Sequence, residues 1–222
     1  SPYHSPTDMG VNMNGFCITD DEAARAASND EIIRRYYAAL VDLRKDKGTQ
    51  QSVDKIENIM QQAGITKDYR TCVKPALEKA AETDSPACAM ELPDGRIVTG
   101  KTSKLFGSSS ACLVNAMKMV AGISDSIPLI SPSVIEPIQK LKVNSLKGHN
   151  PRLHTDEVLI AIAITATTNP VAQLAMDSLE KLKNSEFHST VILSEVDMNT
   201  LKKLGIHVTC EPQYQTKKLY HG

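Results

Sequence analysis

The chain has 222 residues, 41% of them apolar, enough to bury a core as one large domain or two small ones. With 25 basic and 26 acidic side chains the net charge is -1, so no field of one sign is available to collect nucleic acid or anionic lipid. No apolar run approaches the roughly 18 residues that span a bilayer, the longest being Val158 to Ile164. Neither nucleic acid nor a membrane is therefore an expected partner. The five cysteines (Cys17, Cys72, Cys88, Cys112 and Cys210) are far apart and form no C-x-x-C pair. That usage fits the reduced thiols of a cytoplasmic protein better than a disulfide framework or a zinc site.

Residues 1 to 17 carry turn chemistry without a period, and the absence of an initiator Met suggests the interior of a longer protein. Ser28-Asn-Asp-Glu31 reads as a capping box, followed by Ile32, Ile33, Tyr36, Tyr37, Leu40 and Val41 at helical spacing to about Asp46. Val53, Ile56, Ile59, Met60 and Ala63 predict a second amphipathic helix, stopped by Gly64. A third is expected over Tyr69 to Glu82, where Pro75 demands a late start or a kink. Residues 1–84 thus read as a helical segment and residues 85–222 as an α/β domain.

Strands are expected at 87–92 and 96–100, flanking Pro93-Asp94-Gly95, whose Asp-Gly pair suits the positive φ of a tight hairpin. Helices follow at about 109–121, 134–146 (with Ser133 and Glu136 as a capping box), 155–168 and 171–183, the last capped by Asn169 with Pro170 at its first position. "FHSTVILS", "EVDMNTLKKLG" and "IHVTCEP" read as strand, short helix capped by Asp197 and stopped by Gly205, and strand. The fold class is α/β, with α+β as the alternative: an N-terminal helical segment, then a mixed sheet with several packing helices.

Gly95 to Thr102, "GRIVTGKT", matches the phosphate-loop pattern G-x-x-x-x-G-K-[ST]. Its context disagrees. A working loop follows a buried strand and opens a helix at its Lys-Thr pair, whereas here the first Gly lies in a hairpin turn and "RIVT" alternates as a strand whose amides the ladder needs. A better anion site is the helix start at Gly107-Ser-Ser-Ser110, with free amides, a positive dipole end and Ser hydroxyls. Lys101, Ser108, Ser109 and Arg152 are the candidate anion contacts; simple capping by the serines is the plain alternative.

His154 and His188 are the candidate acid-base residues. His154 lies in "NPRLHTDE", three residues before Glu157 at a helix entry, where acidic residues are favoured by the dipole alone. His188 begins a strand whose polar end could line a cleft. Cys210 could pair with His188 as nucleophile and base, but the alternation of Ile206, Val208 and Cys210 reads as a buried, inert thiol. There is no H-E-x-x-H, and a metal site would need a third ligand that the sequence does not offer. The cofactor is unknown.

"SPTDMGVNMNGFCI", "EIIRRYYAAL", "PDGRIVTGKTS", "ISPSVIEPIQKLK", "NPRLHTDEVLIA", "HSTVILS" and "KLGIHVTCEPQYQTKKLYH" together resemble the bacterial family called domain of unknown function 1846, in collinear order over essentially the whole chain. The resemblance implies the C-terminal half of a protein about twice this length, whose missing N-terminal half would be a partner. It brings no catalytic residues. Two functions stand as expectations. In the first, the chain is part of a cytoplasmic bacterial enzyme acting on a phosphorylated or nucleotide-like small molecule. In the second, it is a non-catalytic oligomerisation or regulatory module, a homo-oligomer whose interface lies on the amphipathic helices of residues 18 to 83.

Overall fold

A computed structural model describes residues 16–216, with side chains from residue 21 onward. The turn-rich start and the last residues of the tail lie outside the described residues. Among the described residues eight α-helices surround a four-stranded mixed sheet, an α/β fold.

Helix α1 (Phe16–Arg44) begins a dozen residues before the predicted cap. Ser28 and Glu31 therefore lie inside it, a correction with a simple cause: "DDEAARAAS" is Ala-rich and favours continuation over capping. Glu31 instead binds Arg34 and Arg35, three and four residues on. Helix α2 (Gln50–Ala63) starts where Thr49 accepts from the Ser52 amide and stops at Gly64, whose φ of 69° is left-handed. Helix α3 (Val73–Thr83) starts late, leaving Pro75 in the first turn, where its missing amide has no intrahelical partner to lose.

Strands β1 (Ala87–Glu91) and β2 (Ile97–Lys101) form the hairpin about Gly95. Helices α4 (Ser108–Ala121), α5 (Pro132–Lys140), α6 (Thr155–Ala166) and α7 (Pro170–Asp177) follow. Helix α5 begins after Ser131 with Pro132 in its first position, so Ser133 is helical and not a cap; the last part of the predicted helix continues as one π-turn over Leu141–Ser145. Strand β3 (Glu186–Ser189), helix α8 (Glu195–Lys203) and strand β4 (His207–Cys210) close the domain. Ser194, not Asp197, caps α8.

The sheet order is β2-β1-β3-β4, with β1 antiparallel to both neighbours and β3 parallel to β4. It follows that β2, β3 and β4 run the same way and end on the same side, where the connections into α4 and α8 leave the sheet. Pleating gives the sheet two unlike faces. Cys88, Met90, Val98 and Phe187 join α4, α6, α7 and α8 in the main core. On the opposite face Ala89 packs with Cys72 and Ala76 of the α3 region, and its cross-strand partner His188 is polar. A smaller core joins α1 and α2 through Ile33, Tyr36, Tyr37, Val53 and Met60.

Gly100 shows why "GRIVTGKT" is not a phosphate loop. A Cβ on Gly100 would stand 2.2 Å from the Cys112 amide nitrogen, because α4 lies directly on β2. The glycine serves helix-sheet packing, Gly95 serves the turn with φ 88°, and Lys101 ends a strand in solvent.

Candidate functional site

The connections from β2 to α4 and from β3 to α8 border a cavity of about 430 Å³. Its position outside the C-terminal ends of parallel strands is where α/β sheets commonly bind ligands. Ser108, Ser109, Arg152 and His154 all line it, so four of the six candidates meet in one place. Lys101 and His188 do not line it.

Helix α4 enters the cavity behind Gly107, which has no side chain to cap the first amides. The first helical bond runs from the Ala111 amide to the Gly107 carbonyl, 2.9 Å. The entry is fixed to α6 by a short parallel bridge, Phe106 with Leu153, and by Ser110 Oγ donating to the Leu153 carbonyl at 2.8 Å. Helix α6 opens on His154, whose amide donates to Glu157 Oε1 at 2.9 Å.

Asp197 joins three helix starts. From α8 its Oδ1 accepts from the Thr155 amide at 3.0 Å and from Thr155 Oγ1 at 2.7 Å, while Oδ2 accepts from Ser109 Oγ at 2.9 Å. His154 Nδ1 stands 3.7 Å from the same Oδ2. Burial alone would raise this carboxyl, but His154 and the two Thr155 donors outweigh it and hold it at about 2. Pairing with Asp197 in turn raises His154 above the ordinary histidine value against the opposing effect of burial.

Arg152 is 8% exposed. Its Nε donates to the Ser103 carbonyl at 2.5 Å, and Lys142 Nζ, itself bound to Glu157 Oε1 at 2.7 Å, caps the Arg152 carbonyl. Its Nη1, however, is buried with no hydrogen-bond partner among the described residues. A buried, charged guanidinium nitrogen without an acceptor is costly and is uncommon unless something supplies one. Lys45 at the end of α1 and Tyr214, whose ring lies 4.6 Å below the Arg44 guanidinium, complete the rim.

His188 belongs to a different structure. It is fully buried, its Nδ1 is 2.7 Å from Thr209 Oγ1, its Nε2 is 3.2 Å from Glu211 Oε1, and the Tyr37 ring meets it edge-on at 4.8 Å. Burial favours the neutral ring and lowers its pKa, against the opposing pull of Glu211. Arg70 organises this network: Nε donates to Thr209 Oγ1, Nη1 to Glu186 Oε2 at 2.6 Å, and Nη2 to the Phe187 and His207 carbonyls. Arg34 of α1 reaches Glu186 Oε1 at 2.7 Å. Cys210 pairs with Ser189 and so falls on the opposite face of the sheet from His188; burial also pushes its thiol up to about 11, and those of Cys72 and Cys88 to about 11 and about 12.

Sequence reasoning missed Arg70, Glu186 and the hub role of Asp197. Each works through contacts made across the fold rather than along the chain, and no local pattern marks them. Among the described residues no group of three His, Cys, Asp or Glu side chains converges as metal ligands would, and no helix is long and apolar enough to cross a membrane.

An α/β chain with helix starts gathered at the ends of its parallel strands is the class that this geometry defines. More particularly, the chain belongs to the family described as domain of unknown function DUF1846: its C-terminal description matches residues 68–220 and its N-terminal description residues 1–64. Relatives include UPF0371 proteins of Streptococcus pyogenes serotype M5 (strain Manfredo) at 55% identity, Streptococcus pneumoniae (strain CGSP14) at 56% and Streptococcus thermophilus (strain ATCC BAA-491 / LMD-9) at 55%, each over 220 residues. These alignments cover 99% of this chain and 44% of each relative. The expectation of a chain drawn wholly from the C-terminal half is corrected, since residues 1–64 match the N-terminal description; a missing N-terminal half as partner has no support.

Proposed function

We propose that the cavity binds a small phosphorylated molecule and that the chain is part of a cytoplasmic enzyme that acts on it. The observation that carries this reading is Arg152, a guanidinium that lines the cavity and whose Nη1 is buried without an acceptor among the described residues. A phosphate would meet the 8% of this residue that stays exposed, and would supply the negative charge that a largely buried guanidinium lacks here. The uncapped start of α4 supplies amides and dipole on one side, and Lys45 adds charge on another. His154, held by Asp197, would be the acid or base, donating a proton to the leaving oxygen of a phosphoester or accepting one from the attacking water or hydroxyl. Four buried, unpaired thiols favour a reducing compartment.

The test is a thermal-shift series with inorganic phosphate and sugar phosphates, since a ligand that binds only the native state raises its melting temperature by mass action. Stabilisation that disappears in Arg152→Gln and persists in Lys101→Ala supports the site. Stabilisation that ignores Arg152 refutes it.

Self-association is a second reading. Ile160 and Ile164, one turn apart on α6, are 59% and 61% exposed and form an apolar strip that a second copy could cover. Light scattering at micromolar concentration tests it, and a strict monomer rejects it.

A further inference from the structure

The chain changes character after β4. Glu211 is fixed twice, its amide donating to the Ser189 carbonyl at 2.8 Å and its carboxylate lying 3.2 Å from His188 Nε2. Pro212 follows, with a rigid ring and no amide to donate. Residues 213–216 then belong to no helix or strand. Among the described residues two polar contacts tie them to the rest of the fold: the Ile192 amide donates to the Gln213 carbonyl at 2.7 Å, and the Tyr214 ring lies 4.6 Å from the Arg44 guanidinium.

This short strap is also a partition. Tyr214 and Gln215 line the cavity, while Gln213 and Thr216 line a second hollow of about 650 Å³ bordered by Asp84, Ser85 and Thr190. Val191 lines both, so the two spaces are neighbours with the strap between them. The far wall of the cavity is rigid, because Asp197 binds the starts of α4 and α6 to α8. The strap has no such lock. Its ties are a stack on a ring that is 48% exposed and a single peptide hydrogen bond. A segment with so few contacts opens locally while the domain around it stays folded.

Resting on the phosphate site proposed above, we infer that residues 213–216 are a lid over that site, hinged at Pro212 and latched by the stack of Tyr214 on Arg44. Lifting the lid joins the cavity to the neighbouring hollow and opens the way in for the ligand. Closing it brings Gln215, half-buried on the cavity side, over the bound phosphate, to which its side-chain amide donates. The closed lid also excludes water, which strengthens the attraction between the phosphate and Arg152.

Amide hydrogen exchange, read residue by residue by NMR, tests the lid first without any ligand. The Ile192 amide, bonded only to the lid, should exchange about a hundredfold or more faster than those of Thr190 and Glu211, which donate to the Ala87 and Ser189 carbonyls of the sheet. Arg44→Ala should raise the Ile192 rate about two- to fivefold, the worth of one stack at an exposed ring, and leave the two reference amides unchanged. A general loss of stability would move the reference amides instead. Inorganic phosphate or glucose 6-phosphate, at about ten times its Kd, should slow Ile192 exchange about tenfold, as mass action requires of a ligand held only by the closed state. If Ile192 is as protected as Glu211, or if Arg44→Ala leaves its rate unchanged, the lid is overturned and the phosphate site stands. The same holds if either probe stabilises the chain through Arg152 yet leaves Ile192 exchange as it was. If neither probe binds, the lid has nothing to enclose and both readings fall.

Discussion

Asp197→Asn removes one charge from the point where the starts of α4, α6 and α8 meet. The carboxyl is held at about 2 against an ordinary value of 3.8, which corresponds to about 2.5 kcal/mol of native-state preference for the ionised form. Because the folded value is depressed, this stability is fully present above the unfolded pKa and is lost as pH falls from about 4 towards 2. Asparagine keeps an oxygen for Thr155, and Ser109 Oγ can rotate to accept from the new amide, so the loss at pH 7 is expected at about 2 kcal/mol. Alanine leaves the Thr155 amide, Thr155 Oγ1 and Ser109 Oγ without their acceptor and should cost about 3–5 kcal/mol. Urea unfolding at pH 7, 5 and 3 is the assay. Between pH 7 and 5 the wild-type chain should gain on Asp197→Asn, because Asp197 raises the His154 pKa and the protonated ring is stabilised only when the carboxylate is present; between pH 5 and 3 it should lose stability relative to the variant as the carboxylate begins to protonate. Parallel pH profiles for the two, or an unchanged midpoint at pH 7, would refute the claim that the ionised carboxylate holds these helices together.

Gly100→Ala sets a methyl group against the α4 backbone at Cys112, which cannot move as a side-chain tip could; a loss of several kcal/mol is expected in urea unfolding, or no soluble protein. Arg70→Leu leaves Glu186 with Arg34 alone and removes donors from Thr209 and two carbonyls, an expected cost of about 3–5 kcal/mol by the same assay. Iodoacetamide at pH 7 should leave Cys72, Cys88, Cys112 and Cys210 unlabelled in the native chain and label all four after unfolding, read by peptide mass mapping; rapid native labelling of Cys210 would show a thiol less enclosed than its burial requires.

The local parts of the fold were legible because local chemistry fixes them. Gly64 and Gly205 end helices in the left-handed conformation, Asn169 and Pro170 open α7, and Asp94-Gly95 turns the hairpin. The two failed capping boxes are equally informative. Ser28 and Ser133 carry the correct spacing, but each is overridden by what precedes it: an Ala-rich run before Ser28 and Pro132 before Ser133. The gathering of Ser108, Ser109, Arg152 and His154 could be anticipated only in part, since each marked an element end and element ends collect at one side of such a sheet. That His188 lies apart from them depends on pleat and register. It falls on the face of Ala89 and Thr209, turned towards Arg70 and Tyr37. No short pattern encodes that face, because it was set by which strands became neighbours.

The two family regions meet in the turn after α2, yet Arg34 grips Glu186 on β3 and Val41 reaches the main core. Inheritance and mechanics therefore divide this chain differently. A protein cut at the family seam would lose α1 from beside β4, strip the Tyr37 ring from His188, and bare an edge strand to its neighbours in solution. What looks like a natural place for excision is, physically, the middle of a joint.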